Sequence, residues 1–268
     1  MDPHKIINQS GFPLQIGLAR AIDESQTREG WRVLYQEHGW THPSTGEEGF
    51  IDLVVENDPR TVVVNVECKR PQEATWQFLL PKPDDSPVSR ARYWASYLSR
   101  EGTQCFGWLD LELDPSSYES AFCVTAGQDS KNRPMLERVA AAVVASTEAL
   151  AHEESELLAQ REYPSLRTYV NVIATTARLQ VCKFDPAGVD LATGMISDGQ
   201  TEDVPWVRFR KQLSPLSPPW QPVNAWDFEG MAKAKESTVL VVQATELVNL
   251  LTVLQIDRGI GHAVTRGR

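Results

Sequence analysis

An α/β or α+β domain built on one mixed sheet is the fold class that the sequence predicts, and three observations predict it. β-Branched segments alternate with segments of helical periodicity, in the order helix, strands, helix, strands, helix, strands, helix. The chain has 268 residues, 41% of them hydrophobic, enough for one large core or two small ones. It carries neither an internal repeat nor a low-complexity tract that would point to a solenoid or a fibre.

The elements follow in order. Residues 12–24 place Leu14, Leu18, Ala21 and Ile22 on one helical face. "WRVLYQE" (31–37) predicts a strand, and "HGWTHPSTGEEG" a loop rich in Gly, Pro and Ser/Thr. "GFIDLVVENDPRTVVVNVECKR" (49–70) predicts two strands joined at "NDPR". The four prolines of residues 71–88 predict an irregular crossover, and "SRARYWASYLSREG" (89–102) a helix ended by Gly102. "CFGWLDLEL" and "SYESAFCVTAG" predict a hairpin around "DPSS". The Ala-rich segment 133–161 predicts a long helix. Strands are then expected in "RTYVNVIATTARLQVCKFD", in "GVDLATGMI" and in "VPWVRFRKQL", followed by a proline-rich surface loop at 213–226. "STVLVVQATELVNLLTVLQ" predicts a buried strand running into a helix with Thr245 as N-cap.

Composition narrows the function classes. A net charge of −10 argues against a protein that coats nucleic acid non-specifically, since such affinity comes from neutralised phosphates. A nucleic-acid enzyme of this charge works through a local basic surface, a metal ion or a partner protein. Four dispersed cysteines (Cys68, Cys105, Cys123, Cys182) form no CxxC pair, which suits reduced thiols in a cytoplasm. No apolar run approaches a bilayer span, and "MDPHKIINQS" lacks the pattern of a signal peptide, so a cytoplasmic protein without a membrane partner is expected. No phosphate-cradling glycine loop, dinucleotide fingerprint or Ser-His-Asp order is present. His38 and His42 suggest a zinc pair, but Gly39 and Pro43 argue against the helix that would align them.

The chemistry concentrates in the 49–70 hairpin. Glu67 and Lys69 point to one face of their strand while Cys68 points to the other. With "NDPR" as a four-residue turn, position 52 lies opposite position 65. Asp52 and Asn65 then share the face of Glu67, with Asp52 its diagonal neighbour within about 8 Å. Two carboxylates and a lysine at a sheet end are costly without a partner ion. A hard cation such as Mg²⁺, with Mn²⁺ as a substitute, removes that cost and places a water of lowered pKa against a phosphodiester. Lys69 beside it would orient that water or stabilise the pentavalent transition state.

Asp52 followed by Glu67-Cys68-Lys69, after a helix and a first strand, resembles the PD-(D/E)xK nuclease superfamily, the restriction-endonuclease-like fold. The run from Phe12 to about Ala126 resembles its αβββαβ core with a mixed sheet, and residues 127–268 would then be a helix plus a β-rich extension, packed on or continuing the same domain. The resemblance implies metal binding by Asp52 and Glu67 and catalysis by Lys69. Ile51 stands where the superfamily has proline. Gln15 stands where its first helix often carries a metal-linked glutamate, with Glu24 further along, and Glu37 at the end of the first strand is a candidate third carboxylate. The glutamine-and-tyrosine motif of exonuclease-type members is not visible in 89–102, which argues against an exonuclease and leaves endonuclease action open. Arg90 and Arg92, and the stripe Arg208 and Arg210, are candidate phosphate contacts, each with a plain surface reading beside it. The expectation is a Mg²⁺-dependent deoxyribonuclease, an endonuclease of restriction or anti-phage defence. RNA remains an open substrate, and a homodimer or a partner protein of a defence complex would complete the assembly. The alternative is a catalytically inactive subunit that binds nucleic acid or protein partners.

Overall fold

The computed structural model of the chain describes residues 3–25, 30–71, 74–82, 85–98, 104–125, 134–160, 165–213 and 224–256. Helices α1 (Pro3–Gln9) and α2 (Phe12–Asp23) open it, followed by strands β1 (Arg32–Thr41), β2 (Glu48–Glu56), β3 (Val62–Lys69), β4 (Thr75–Leu80), β5 (Val88–Leu98), β6 (Gln104–Ser117), β7 (Glu119–Ser120) and β8 (Cys123–Thr125). The long helix α3 (Met135–Leu158) leads into β9 (Ser165–Thr175) and β10 (Arg178–Lys183). The short strands β11 (Val189–Asp190), β12 (Met195–Ile196) and β13 (Gln200–Asp203) precede β14 (Trp206–Gln212) and helix α4 (Phe228–Ala234). Strand β15 (Glu236–Gln243), helix α5 (Leu247–Val253) and β16 (Gln255–Ile256) end it.

The main sheet runs β1-β2-β3-β9-β15-β14-β7. Strands β1 to β3 form an antiparallel meander, β9 lies parallel to β3, and β15 parallel to β9. On its other edge the first half of β9 pairs antiparallel with β5, which continues into β6. Helices cover both faces. Beneath α3, Leu136, Ala140, Val143 and Leu150 pack on Val54, Val63 and Ile173. Beneath α2 and α5, Leu18, Ile22, Leu247 and Leu250 pack on Leu53, Val64 and Val66. Covered on both sides, β3 carries an apolar run instead of a half-polar alternation. Each fully buried Val or Leu there contributes roughly 1.5–3 kcal/mol relative to exposure.

A second sheet, β13-β10-β4-β8, grows from the end of the first. Strand β4 follows β3 and β10 follows β9, and the new pair is parallel like the old one. Glu67 and Lys69 therefore sit where one sheet gives way to the other.

The mixed α/β class holds, and the predicted first helix, the opening three strands and the long helix form. Several expectations are corrected. The segment 89–102 forms β5 instead of a helix, at least as far as Leu98. Its aromatics and alanines are buried without interruption from Ala91 to Ser96 between β6 and β9, and that pairing outweighs local helix propensity. The crossover 71–88 contains β4, and "DPSS" is no turn: β6 runs through it to Ser117, held by Val88 and, at Asp114, by Gln255. The αβββαβ succession is not completed by residue 126, because the second helix is α3. Strand β1 extends to Thr41, beyond the predicted loop boundary, and "GVDLATGMI" holds only the two-residue strands β11 and β12. Thr245 caps nothing; it lies within a 3₁₀ turn, Ala244–Glu246, that leads into α5 without a side-chain cap. Most of the proline-rich loop and the terminal "TRGR" lie outside the described residues. Among the described residues no helix is long and apolar enough to cross a membrane.

Candidate functional site

The β2–β3 turn sets the register of the site. Asn57 accepts the N–H groups of Thr61 and Val62 on its side-chain oxygen, and Arg60 takes the left-handed conformation at φ 57°. The turn closes at Asn57 and Val62, two residues later than "NDPR" alone would close it. Position 65 therefore pairs with Val54, and the ladder ends at Leu53 opposite Val66. Extended by one residue, it sets Asp52 directly across from Glu67, a correction of the diagonal placement. Asn65 shares the face of Glu67 as expected, but its amide is consumed within the core by Ser146 and Thr147 of α3, at 2.9 and 2.7 Å.

Asp52 interrupts its own strand. On a regular strand Ile51 and Leu53 would share a face. Here Ile51 packs in the core beneath α3 and Leu53 in the opposite core, so the alternation breaks at Asp52. The partner strand breaks at the same level: Gln36 pairs with Leu53 and His38 with Ile51, while Glu37 between them adopts φ 52°. A non-glycine residue in that region is uncommon and strained. Glu37 thus lies in mid-strand, not at the strand end, exposed and at the level of Asp52.

The kink is clamped from two sides. One carboxylate oxygen of Asp52 accepts the backbone N–H of Cys68 at 2.6 Å, replacing the ladder bond that the break removes. The Asp52 carbonyl accepts the side-chain N–H of Gln15, from α2, at 2.9 Å. Burial and then the nearby Glu67 charge push the Asp52 carboxyl up to about 6; the Cys68 N–H and Lys69 oppose the shift, and Glu37 adds to it. Lys69 is ion-paired with Glu67, with side-chain exposures of 35% and 20%, so both reach solvent. Cys68 packs in the core on the α2 side, away from Glu67 and Lys69, and burial holds its thiol far above the usual range.

Asp52, Glu67 and Lys69 thus meet at the junction of the two sheets, with the Glu37 charge near enough to act on Asp52. Glu24 does not join them: it ends α2 on the surface, paired with Arg20 at 2.8 Å. Two carboxylates, of which Asp52 is raised toward neutrality by burial and then by the Glu67 charge, form a donor set that a cation would stabilise. That suits a hard cation which binds one or two carboxylates and keeps its waters. Among the described residues no group of three or more such ligands converges, so water or substrate oxygens would fill the remaining positions.

The basic candidates divide. Arg208 is a correction: it is fully buried and donates to the carbonyls of Val88, Leu113 and Pro115 and to the Ser117 hydroxyl, so no phosphate reaches it. Arg210, on the same face as predicted, is held by Glu236 and Asp110 at 2.8 and 3.1 Å. Arg92 is also buried and bonds Asp110 at 3.0 Å. Arg90 keeps 68% of its side chain exposed, 3.9 Å from Asp110. The stripe is an internal brace between β5, β6 and β14.

A second polar cluster escaped the reading of the sequence. His42 bonds Glu148 of α3 at 2.9 Å, and the Trp108 indole donates to the other oxygen of Glu148 at 2.7 Å. The His42 Nδ1 accepts from Ser44 and Thr45, which leaves its Nε2 as the donor to Glu148. His38 pairs instead with Glu153 at 3.0 Å. Both histidines meet α3, yet each serves a different carboxylate of that helix, so they form no metal pair with each other.

Comparison of the chain with family models, with curated proteins and with solved structures finds no significant match.

Proposed function

We propose that the chain is a divalent-metal-dependent nuclease with a restriction-endonuclease-like core formed by α2, β1, β2, β3, α3 and β9. That succession reads αβββαβ once β4 to β8 are taken as an insertion, and its strands are neighbours in one mixed sheet. The observation that supports the activity is the Asp52 carboxylate held on the Cys68 N–H, between Glu67 and Lys69 in sequence, with Lys69 paired to Glu67 at an open sheet end.

Asp52 and Glu67 would hold Mg²⁺ or Mn²⁺, with water or substrate oxygens in the remaining positions and the Glu37 charge nearby. The ion, when bound, supplies positive charge beside the scissile phosphate and lowers the pKa of a water. The Asp52 carboxyl would have to give up its proton to act as a ligand; its elevated value makes that harder than for an ordinary carboxylate, yet still leaves it mostly ionised at neutral pH. The Cys68 N–H bond leaves the second Asp52 oxygen for the ion. Lys69 would donate N–H bonds to the attacking water or to the charge that builds on the phosphate. Arg90 is the exposed cation among the phosphate-contact candidates. DNA is the proposed substrate, with defence against invading DNA in a cytoplasm as the natural setting.

One observation favours a second reading, an inactive subunit that binds nucleic acid or a protein partner: Lys69 already neutralises Glu67 without any metal. Incubating the protein with plasmid, linear duplex, single-stranded DNA and RNA, in Mg²⁺, Mn²⁺ or EDTA, separates the two. Metal-dependent cutting that Lys69→Ala abolishes is the expected result and identifies the substrate class. Folded wild type that cuts none of these moves the assignment to the binding subunit.

A further inference from the structure

We infer that Gln15 is a positioning residue for the metal site, one that fixes the kinked backbone of Asp52 from the far side of the sheet; this rests on the nuclease reading above. The ladders on both edges of β2 leave Asp52 out. Toward β1 the paired residues pass from Leu53 to Ile51, and toward β3 they stop at Leu53. A carbonyl withdrawn from solvent without a partner is destabilising, so something must take the place of the missing ladder bond. Gln15 does so. Its side chain is 5% exposed, and its amide nitrogen meets the Asp52 carbonyl at 2.9 Å.

The helix behind it is itself anchored. Leu18 and Ile22, one and two turns beyond Gln15, are buried in the core shared with Leu53, Val66 and Cys68. The position of α2 is therefore transmitted through one side chain to the residue that bears the carboxylate. The same carboxylate holds the Cys68 N–H, whose strand neighbours are Glu67 and Lys69. Gln15, Asp52 and Cys68 form one relay from α2 to the Glu-x-Lys strand. A ligand role for Gln15 is a different assignment, because here its amide serves a backbone carbonyl. A glutamate in its place would lose the donor and set a negative charge against the Asp52 carbonyl oxygen.

Two near-isosteric variants, Gln15→Glu and Gln15→Met, test the assignment through two readouts. Methionine packs well in a buried helical site, so the second variant guards against misfolding of the first. Mn²⁺ affinity is read by calorimetry, and amide hydrogen exchange at Cys68 by NMR on the metal-free protein. Positioning predicts that both variants weaken Mn²⁺ binding about 10–100-fold and speed Cys68 exchange, while the Val64 amide stays protected. Mn²⁺ binding by Gln15→Glu at wild-type strength or tighter would overturn it in favour of a ligand. Unchanged Cys68 exchange in both variants would overturn it in favour of plain packing. Wild type that binds no Mn²⁺ would reject the nuclease reading instead, and Cys68 exchange would still decide the role of Gln15.

Discussion

A carboxylate held half-buried beside a second one is destabilising, and Asp52 carries that cost. In the folded chain it keeps its proton up to about pH 6, while in the unfolded chain it titrates as an ordinary carboxylate. The folded state therefore binds more protons between those two values, and stability falls as pH rises from about 4 to 6. Above that window the ionised Asp52 is a net penalty. Asp52→Asn keeps an acceptor for the Cys68 N–H and removes the charge. It should be more stable than wild type at pH 7.5 by about 1–2 kcal/mol, after allowance for partial exposure of the site. Urea denaturation at pH 4.5 and 7.5 checks this, with the advantage of the variant much smaller at the lower pH. An Asp52→Asn protein less stable than wild type at pH 7.5 would show that the site is not charge-strained. A linked outcome concerns the ion: Mg²⁺ should raise the melting temperature of wild type and leave that of Asp52→Asn unmoved, because only the former offers two anionic ligands.

At the scale of elements, what decides a residue's role is which strands enclose it. Arg208 alternates along β14 as a surface stripe would, yet β5 and β6 fold over that face and convert it to an interior brace. Arg208→Met should therefore cost about 3 kcal/mol or more, because the carbonyls of Val88, Leu113 and Pro115 lose their donors together. Arg90→Ala should stay within about 0.5 kcal/mol of wild type. Equal losses in the two variants, read from denaturant midpoints, would contradict the brace. The same reasoning explains what the sequence made legible. Helix α2 and the hairpin of β2 and β3 are local, with periodicity and turn chemistry of their own, and the trio Asp52, Glu67 and Lys69 could be read from them. The register could not be placed correctly, since Asn57 binds two backbone N–H groups and lengthens the turn. Strand β5 was misread as a helix because its stability comes from β6 and from β9, which follows some 70 positions later in the chain. Gln15 drew notice by position alone; its bond to the Asp52 carbonyl requires a strand break that no local pattern announces.

The whole molecule raises the question of how a chain of net charge −10 would hold a polyanion. The central sheet draws β1 to β3 from one half of the chain and β9, β15 and β14 from the other, so residues 1–126 alone lack the partner of β3 and the cover of α3. That fragment should not fold cooperatively, and a sigmoidal melt from it would show an independent core. Among the described residues most arginines are already committed to carboxylates: Arg92 and Arg210 to Asp110, Arg167 to Glu56 and Glu154, Arg178 to Asp203. Few cations remain among the described residues to displace counterions, so affinity for nucleic acid on this surface would lean on the bound metal. Each neutralised phosphate contributes a slope of about −0.9 to log K against log salt for duplex DNA. Two or three such contacts predict a slope near −2 to −3, far shallower than that of a basic DNA-coating protein. Binding of a labelled duplex by Lys69→Ala protein, titrated with salt in Ca²⁺ and again in EDTA, measures both quantities. The expected pattern is a shallow slope in Ca²⁺ and loss of binding in EDTA. Tight, steeply salt-dependent binding in EDTA would mean that an extended basic face carries the affinity, and the metal-centred account of recognition would fail.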